Sequence, residues 1–263
     1  MSQHPLDDPR ITGNMFFPRR ASANTHPDTA NVKDGLIAVQ GAQLGYRLYI
    51  HTPDAPVLLY FHGNGEVASD YDDIANLYHR VGLTVLLVDY RGYGWSTGSP
   101  LFSRMLPDAQ EVLDALESTV TKHGIQANRP VFVKGRSLGS APAVYIALKN
   151  PQRIKGLILE SGYADAPTVF QRLGMPIPDD VQDDDSLPIY NASKMKRVDL
   201  PLLVIHGGND MLIPVEQGKA LFAASPTQHK KLLIIAGAGH NDLLFVGMTQ
   251  YFRAIGEFVE EWG

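Results

Sequence analysis

Apolar residues in this chain fall into short unbroken runs, separated by longer stretches in which they recur with helical period. Val57-Leu58-Leu59-Tyr60-Phe61 is continuous, and the run over 83–88 is broken only by Thr84. A segment that is apolar at every position is the mark of a strand buried on both faces. Further strands are expected at 131–133, 154–159, 202–205 and 231–235. Two earlier strand-like stretches, 36–39 and 44–50, are joined by Gln40-Gly41-Ala42-Gln43 and predict a hairpin. Helical spacing predicts helices over 67–81, 103–122, 215–224 and 242–261, and one following Ser137 through Leu148. Strand alternating with helix after a hairpin predicts an α/β protein. Its central sheet is mostly parallel, with about eight strands and helices on both faces.

Two stretches lie outside that pattern. Residues 1–32 are polar and broken by prolines, an irregular lead-in expected to be pinned by Met15, Phe16 and Phe17. Residues 164–198 interrupt a domain that otherwise runs over 33–263. They carry Asp179, Asp180, Asp183, Asp184 and Asp185 and read as a solvated surface loop. A sharper reading is a small lid, with Phe170, Leu173, Met175 and Ile177 facing a substrate. The spacing and glycine of an EF-hand calcium loop are missing.

Composition narrows the chemistry. The chain has 263 residues and a net charge of −5. With no basic run, nucleic acid and anionic membrane surfaces are not expected partners. It has no cysteine, which removes disulfides, thiolate metal sites and a cysteine nucleophile together. Neither a signal peptide nor a transmembrane segment is recognisable, so a cytoplasmic location is expected. No metal and no cofactor is expected, since the glycines form no dinucleotide fingerprint. Oligomeric state is not legible.

The candidate chemistry centres on Gly135-Arg136-Ser137-Leu138-Gly139, between the strand at 131–133 and the helix that follows. A serine where a strand turns sharply into a helix is a nucleophile elbow. Glycines two residues to either side let strand and helix approach closely. A serine needs a base, an acid that orients the base, and donors for an oxyanion. In a parallel sheet these belong in loops beyond the carboxyl ends of strands. Of nine histidines, His240 follows a strand in a glycine-flanked loop and is the candidate base. His62 and His206 stand at strand ends, where a ring more often buttresses a loop. Asp210, in a Gly-Gly-Asn turn, is the candidate acid. Asp89 and Glu160 are rivals, and Asp242 reads better as a helix cap. The backbone N–H groups of Leu138 and Asn64 are the candidate oxyanion donors. Phe102, Phe170, Met175 and Leu243 are candidates to line a substrate pocket.

The order Ser137, Asp210, His240, with the motifs HGNGE, DYRGYGWSTGSP, GRSLGS, HGGND and GAGHND, resembles the α/β-hydrolase superfamily over residues 35–263. The details are similar to the Bem46-like branch, which includes the α/β-hydrolase domain-containing proteins 13 and 17 and hydrolases described as serine aminopeptidase-like. The resemblance implies the same three residues as a triad and the HGN turn as the oxyanion loop. Eukaryotic relatives in that branch include protein depalmitoylases attached to membranes through a cysteine-rich segment. This chain has no cysteine, so that attachment is not implied here. The expected activity is a serine hydrolase cleaving carboxylic esters of small or acyl substrates through an acyl-enzyme. A thioesterase or aminopeptidase-like amidase would use the same residues. A non-catalytic binding protein of this fold would be expected to have lost one of them.

Overall fold

The structure is a computed structural model, and it describes residues 4–172, 174 and 187–263. Eight strands form one sheet. They are β1 (Val32–Val39), β2 (Ala42–Tyr49), β3 (Val57–Phe61), β4 (Thr84–Val88), β5 (Val131–Arg136), β6 (Gly156–Glu160), β7 (Leu202–Gly207) and β8 (Lys230–Ile235). Their order is β1-β2-β4-β3-β5-β6-β7-β8. The β1–β2 hairpin is antiparallel and joins β4 antiparallel, while β4, β3, β5, β6, β7 and β8 run parallel. This is the α/β-hydrolase fold.

The apolar runs are continuous because both faces of the sheet are covered. Successive side chains alternate between two cores. Leu59, Val133, Leu157 and Val204 point to one core, which includes helices α3 (Phe102–Thr121), α4 (Ser140–Lys149) and α7 (Val215–Ala224). Leu58, Phe132, Ile158 and Leu203 point to the other, with α2 (Ala75–His79) and α8 (Leu243–Trp262). A third apolar cluster contains Leu138, Val67 and Tyr93. It brings in Met15, at the end of α1 (Pro9–Met15), and Val169 of α5 (Ala166–Arg172), while α6 (Asn191–Met195) packs with the first core.

The structure departs from the expected pattern in two informative places. The stretch 67–81 is not one helix but a 3-10 turn, Ala68–Tyr71, and the short α2. Asp72 lies between them and accepts hydrogen bonds from Arg47 (2.8 and 2.9 Å) and the Tyr49 hydroxyl (2.6 Å). Arg47 is fully buried and also pairs with Asp34 at 2.6 Å. Satisfying a buried guanidinium outweighs helix propensity here. In the lead-in, residues 9–15 form α1, opened by Asp8, whose carboxylate accepts the Arg10 N–H at 2.8 Å. Met15 and Phe16 are buried and the Phe16 ring packs on Phe102 at 4.7 Å, but Phe17 is 53 % exposed. Phe17 is held by its backbone instead, its N–H lying 3.0 Å from both Asn64 Oδ1 and the Tyr93 hydroxyl.

Two glycines make the turn after β5 possible. A Cβ on Gly135 would lie 2.2 Å from the Gly139 carbonyl oxygen, and one on Gly139 would lie 2.1 Å from that of Phe61. Both obstacles are backbone, which cannot swing aside. Gly139→Ala is therefore expected to lose about 3 kcal/mol or more in urea unfolding, the range of a severe overpacking. Gly13→Ala is the control. That glycine lies in α1 with nothing within 4 Å of the added carbon, so alanine should stabilise by about 0.5–1 kcal/mol. A loss below 1 kcal/mol for Gly139→Ala would refute the steric account.

Candidate active site

The end of β5 sets Ser137 at the tip of a sharp turn. Its φ is +51°, a left-handed conformation unusual for a residue with a side chain. A 3-10 turn, Ser137–Gly139, leads directly into α4. Ser140 closes the turn, its hydroxyl donating to the Ser137 carbonyl at 2.7 Å.

His240 lies in the loop between β8 and α8, and Asp210 in the loop after β7. His240 Nε2 is 3.0 Å from Ser137 Oγ, and His240 Nδ1 is 2.7 Å from Asp210 Oδ2. The chain of contacts runs hydroxyl, imidazole, carboxylate. Asp210 is fixed from behind, its Oδ1 accepting from the backbone N–H of Leu212 (3.0 Å) and Ile213 (2.8 Å). Burial pushes its carboxyl up. Its contacts with the His206 and His240 rings and the hydrogen bond from the Ile213 N–H outweigh burial and hold it far below the usual range. His206 Nε2–H donates chiefly to the Ile213 carbonyl at 2.8 Å, and Asp210 Oδ2 lies farther away at 3.4 Å. Ser137 and His240 are 7 % and 9 % exposed, nearly dry yet reachable.

The rival groups are engaged elsewhere. Asp89 accepts the Ala68 N–H at 2.8 Å and faces His62 Nε2 at 3.2 Å. Burial disfavours a charged His62, but Asp89 prevails and raises its pKa. The other ring nitrogen of His62 donates to the Gly63 carbonyl at 2.8 Å. Asp242 does stand at the start of α8, but its carboxylate makes no cap to that helix. It accepts the Gly239 N–H at 2.6 Å and so braces the His240 loop.

Glu160, at the end of β6, belongs to a buried charge cluster. It pairs with Lys134 at 2.5 Å and Arg136 at 3.2 Å, and accepts from the Tyr251 hydroxyl at 2.6 Å. Lys134 is fully buried, its ammonium lying 3.8 Å from the centre of the Tyr60 ring. Burial pushes the Glu160 carboxyl up, and Lys134 and Arg136 more than reverse this, down to about 2. A carboxylate depressed in the folded state stabilises fully above its ordinary value of 4.5, and loses that contribution as pH falls through about 2. Glu160→Gln should cost roughly 3–5 kcal/mol at pH 7, because Lys134 and Arg136 lose a partner. Its stability should also fall less steeply than that of the wild type between those two pH values. Parallel pH–stability curves from chemical denaturation would contradict this.

Asn64 lies in the turn after β3. Its side chain is taken up by the lead-in and by Tyr93. The amide donates to the Met15 carbonyl at 2.6 Å, and its oxygen accepts from the Tyr93 hydroxyl at 2.6 Å. The sequence did not indicate that the Asn64 side chain would be engaged in this way. The pocket candidates are not brought together. Phe102 and Phe170 pack in the cluster that contains Leu138. Leu243 and His240 both line a separate cavity of about 230 Å³ whose walls also include Glu66, Tyr71, Arg136 and Asn241. Met175 lies outside the described residues. Among the described residues no group of three or more His, Asp or Glu is arranged to hold a metal ion, and no helix is long and apolar enough to cross a membrane.

Comparison with known proteins agrees with the fold. The family described as serine aminopeptidase, S33, matches residues 52–177. The protein bem46 of Schizosaccharomyces pombe is 32 % identical over 215 residues, covering 78 % of this chain and 68 % of that protein. An uncharacterized protein of Mycobacterium tuberculosis is 30 % identical over 254 residues, covering 94 % of this chain and 86 % of its own length. Among solved structures, the esterase Pf2001 of Pyrococcus furiosus superposes with a TM-score of 0.75 at 20 % identity, over 93 % of this chain and 98 % of that one. Fold and relatives together define a hydrolase of the α/β class. Within that class, the chain belongs to the Bem46-like α/β-hydrolases.

Proposed function

We propose that this hydrolase is a serine esterase that works through an acyl-enzyme. The observation that carries the proposal is the continuous contact from Ser137 Oγ through His240 to Asp210, at 3.0 and 2.7 Å, on a serine held at positive φ. Ser137 Oγ attacks the ester carbonyl carbon while its proton passes to His240 Nε2. The Asp210 carboxylate accepts the Nδ1–H, which keeps Nε2 unprotonated in the resting site and stabilises the imidazolium as it forms. The N–H groups of Leu138 and Asn64 bind the oxyanion. Imidazolium returns the proton to the leaving alcohol. Water, deprotonated by His240, then attacks the acyl-enzyme and releases the acid. The apolar cluster beside Leu138, with Phe170 at its edge, is the side on which an acyl chain would rest.

A fluorophosphonate tests the reading directly, because only an activated serine beside a working oxyanion site reacts with it at a useful rate. A single adduct mapped to Ser137 is expected. No adduct in a folded sample would refute the reading. The aminopeptidase description of the matching family favours a second substrate class, amides with a free amine. Turnover of matched acyl esters, acyl thioesters and aminoacyl amides on one preparation separates the two. Faster aminoacyl amide turnover would replace the ester assignment and leave the roles of the three residues in place.

A further inference from the structure

The residue immediately before Ser137 makes contacts that a mere strand residue would not need. Arg136 is nearly buried, with its side chain 10 % exposed. Its Nη2 donates to the His240 carbonyl and to Asn241 Oδ1, both at 2.9 Å. Its Nη1 pairs with Glu66. Its Nε donates to Glu160 Oε1 at 3.2 Å, and Glu160 is anchored in turn by Lys134 and Tyr251. One planar group therefore bonds in three directions.

Glu66 extends the reach of that group. Its Oε2 accepts the Gly63 N–H at 2.6 Å and the Tyr71 hydroxyl at 2.8 Å, and its own N–H donates to the Gly63 carbonyl at 3.3 Å. Gly63 to Glu66 is thus a closed turn with Asn64 within it. A Cβ on Gly63 would lie 2.5 Å from Arg136 Nη1, so the guanidinium packs directly against the backbone of that turn.

We propose that Arg136, aimed by Glu160 and linked through Glu66, is a positioning residue of the hydrolytic site. It holds the His240 backbone and the Asn64 turn in register with the serine next to it in sequence. The inference rests on the roles given above to Ser137, His240 and Asn64. The physical reason for an arginine is its rigid fork of five donors. A lysine keeps the charge but cannot reach a carbonyl, an amide oxygen and two carboxylates at once. A displacement of about 1 Å at a reacting group can cost on the order of 100-fold in rate.

The test compares wild type with Arg136→Lys, Glu66→Gln and Asn241→Ala. Asn241 is exposed, and Glu66→Gln keeps an acceptor for Gly63, so those two variants should fold even if Arg136→Lys does not. Functional sites are first counted by fluorophosphonate end-point titration, and kcat and KM for an activated ester are then expressed per titrated site. For Arg136→Lys, kcat is expected to fall about 10–100-fold with KM within about twofold. The other two variants should show smaller falls of the same kind. Combining Arg136→Lys with Glu66→Gln should cost less than the product of the single losses, since both act through one clamp. A merely structural role would lower the number of titratable sites and leave kcat per site unchanged, which would overturn the proposal. So would wild-type kcat in both Glu66→Gln and Asn241→Ala. If the wild type takes no label, the serine-hydrolase reading itself falls. If every variant is labelled and turns over at the wild-type rate, only the positioning role falls.

Discussion

Ser137→Ala should abolish fluorophosphonate labelling and lower ester turnover by about 10⁵-fold or more, with the melting temperature little changed. The size follows from the roles assigned to the hydroxyl. Without it no acyl-enzyme forms, and the oxyanion donors alone leave only a residual enhancement, of roughly 10³–10⁴ over water in serine hydrolases generally. The fold is expected to survive because, among the described residues, the hydroxyl has one partner, His240 at 3.0 Å, and the turn is closed by other atoms. Alanine at φ +51° is somewhat less comfortable than serine, at a cost of about 1 kcal/mol or less, which a thermal melt can register. A folded Ser137→Ala protein that kept more than a tenth of the activity would remove Ser137 from the chemistry.

The second large effect is expected from Asp210→Asn, a substitution that hardly changes volume. The two ends of the carboxylate are not equivalent. Oδ1 accepts two backbone N–H groups, from Leu212 and Ile213, so the asparagine must turn its carbonyl oxygen to them. Its amide nitrogen is then left facing His240 Nδ1, where Oδ2 now lies at 2.7 Å. An amide donates, so Nδ1 must become the acceptor and the ring proton must move to Nε2. Nε2 then donates to Ser137 Oγ and can no longer take its proton. The expected loss in kcat at neutral pH is roughly 10⁴-fold, as for the same change in other serine hydrolases, with KM nearly unchanged. Steady-state kinetics on an activated ester decides the matter. A loss of less than tenfold would mean that the tautomer of His240 is set by something other than Asp210.

Much of this arrangement could be read along the chain. The strands of the parallel sheet announced themselves because both faces of a covered sheet are apolar. The turn at Ser137 was legible because close packing of strand on helix admits only glycine at 135 and 139. Asp210 and His240 were singled out as candidates by looking only beyond the carboxyl ends of strands. That rule works because parallel strands bring those loops to one edge, and the three side chains do meet there.

Other features depended on contacts between distant segments. The helix expected over 67–81 was broken by Asp72 reaching Arg47, 25 residues away. The Asn64 side chain was spent on Met15, Phe17 and Tyr93. Asp242, expected as a cap, braced Gly239 instead. The Lys134–Glu160–Arg136–Glu66 cluster was invisible, since Arg136 and Glu66 stand 70 residues apart and no periodicity connects them. The division has one physical cause. Burial pattern and backbone sterics act between near neighbours and leave a period or a glycine in the sequence. A buried charge is satisfied by whichever partner the fold brings within about 3 Å, and only the assembled sheet and its loops decide which partner that is.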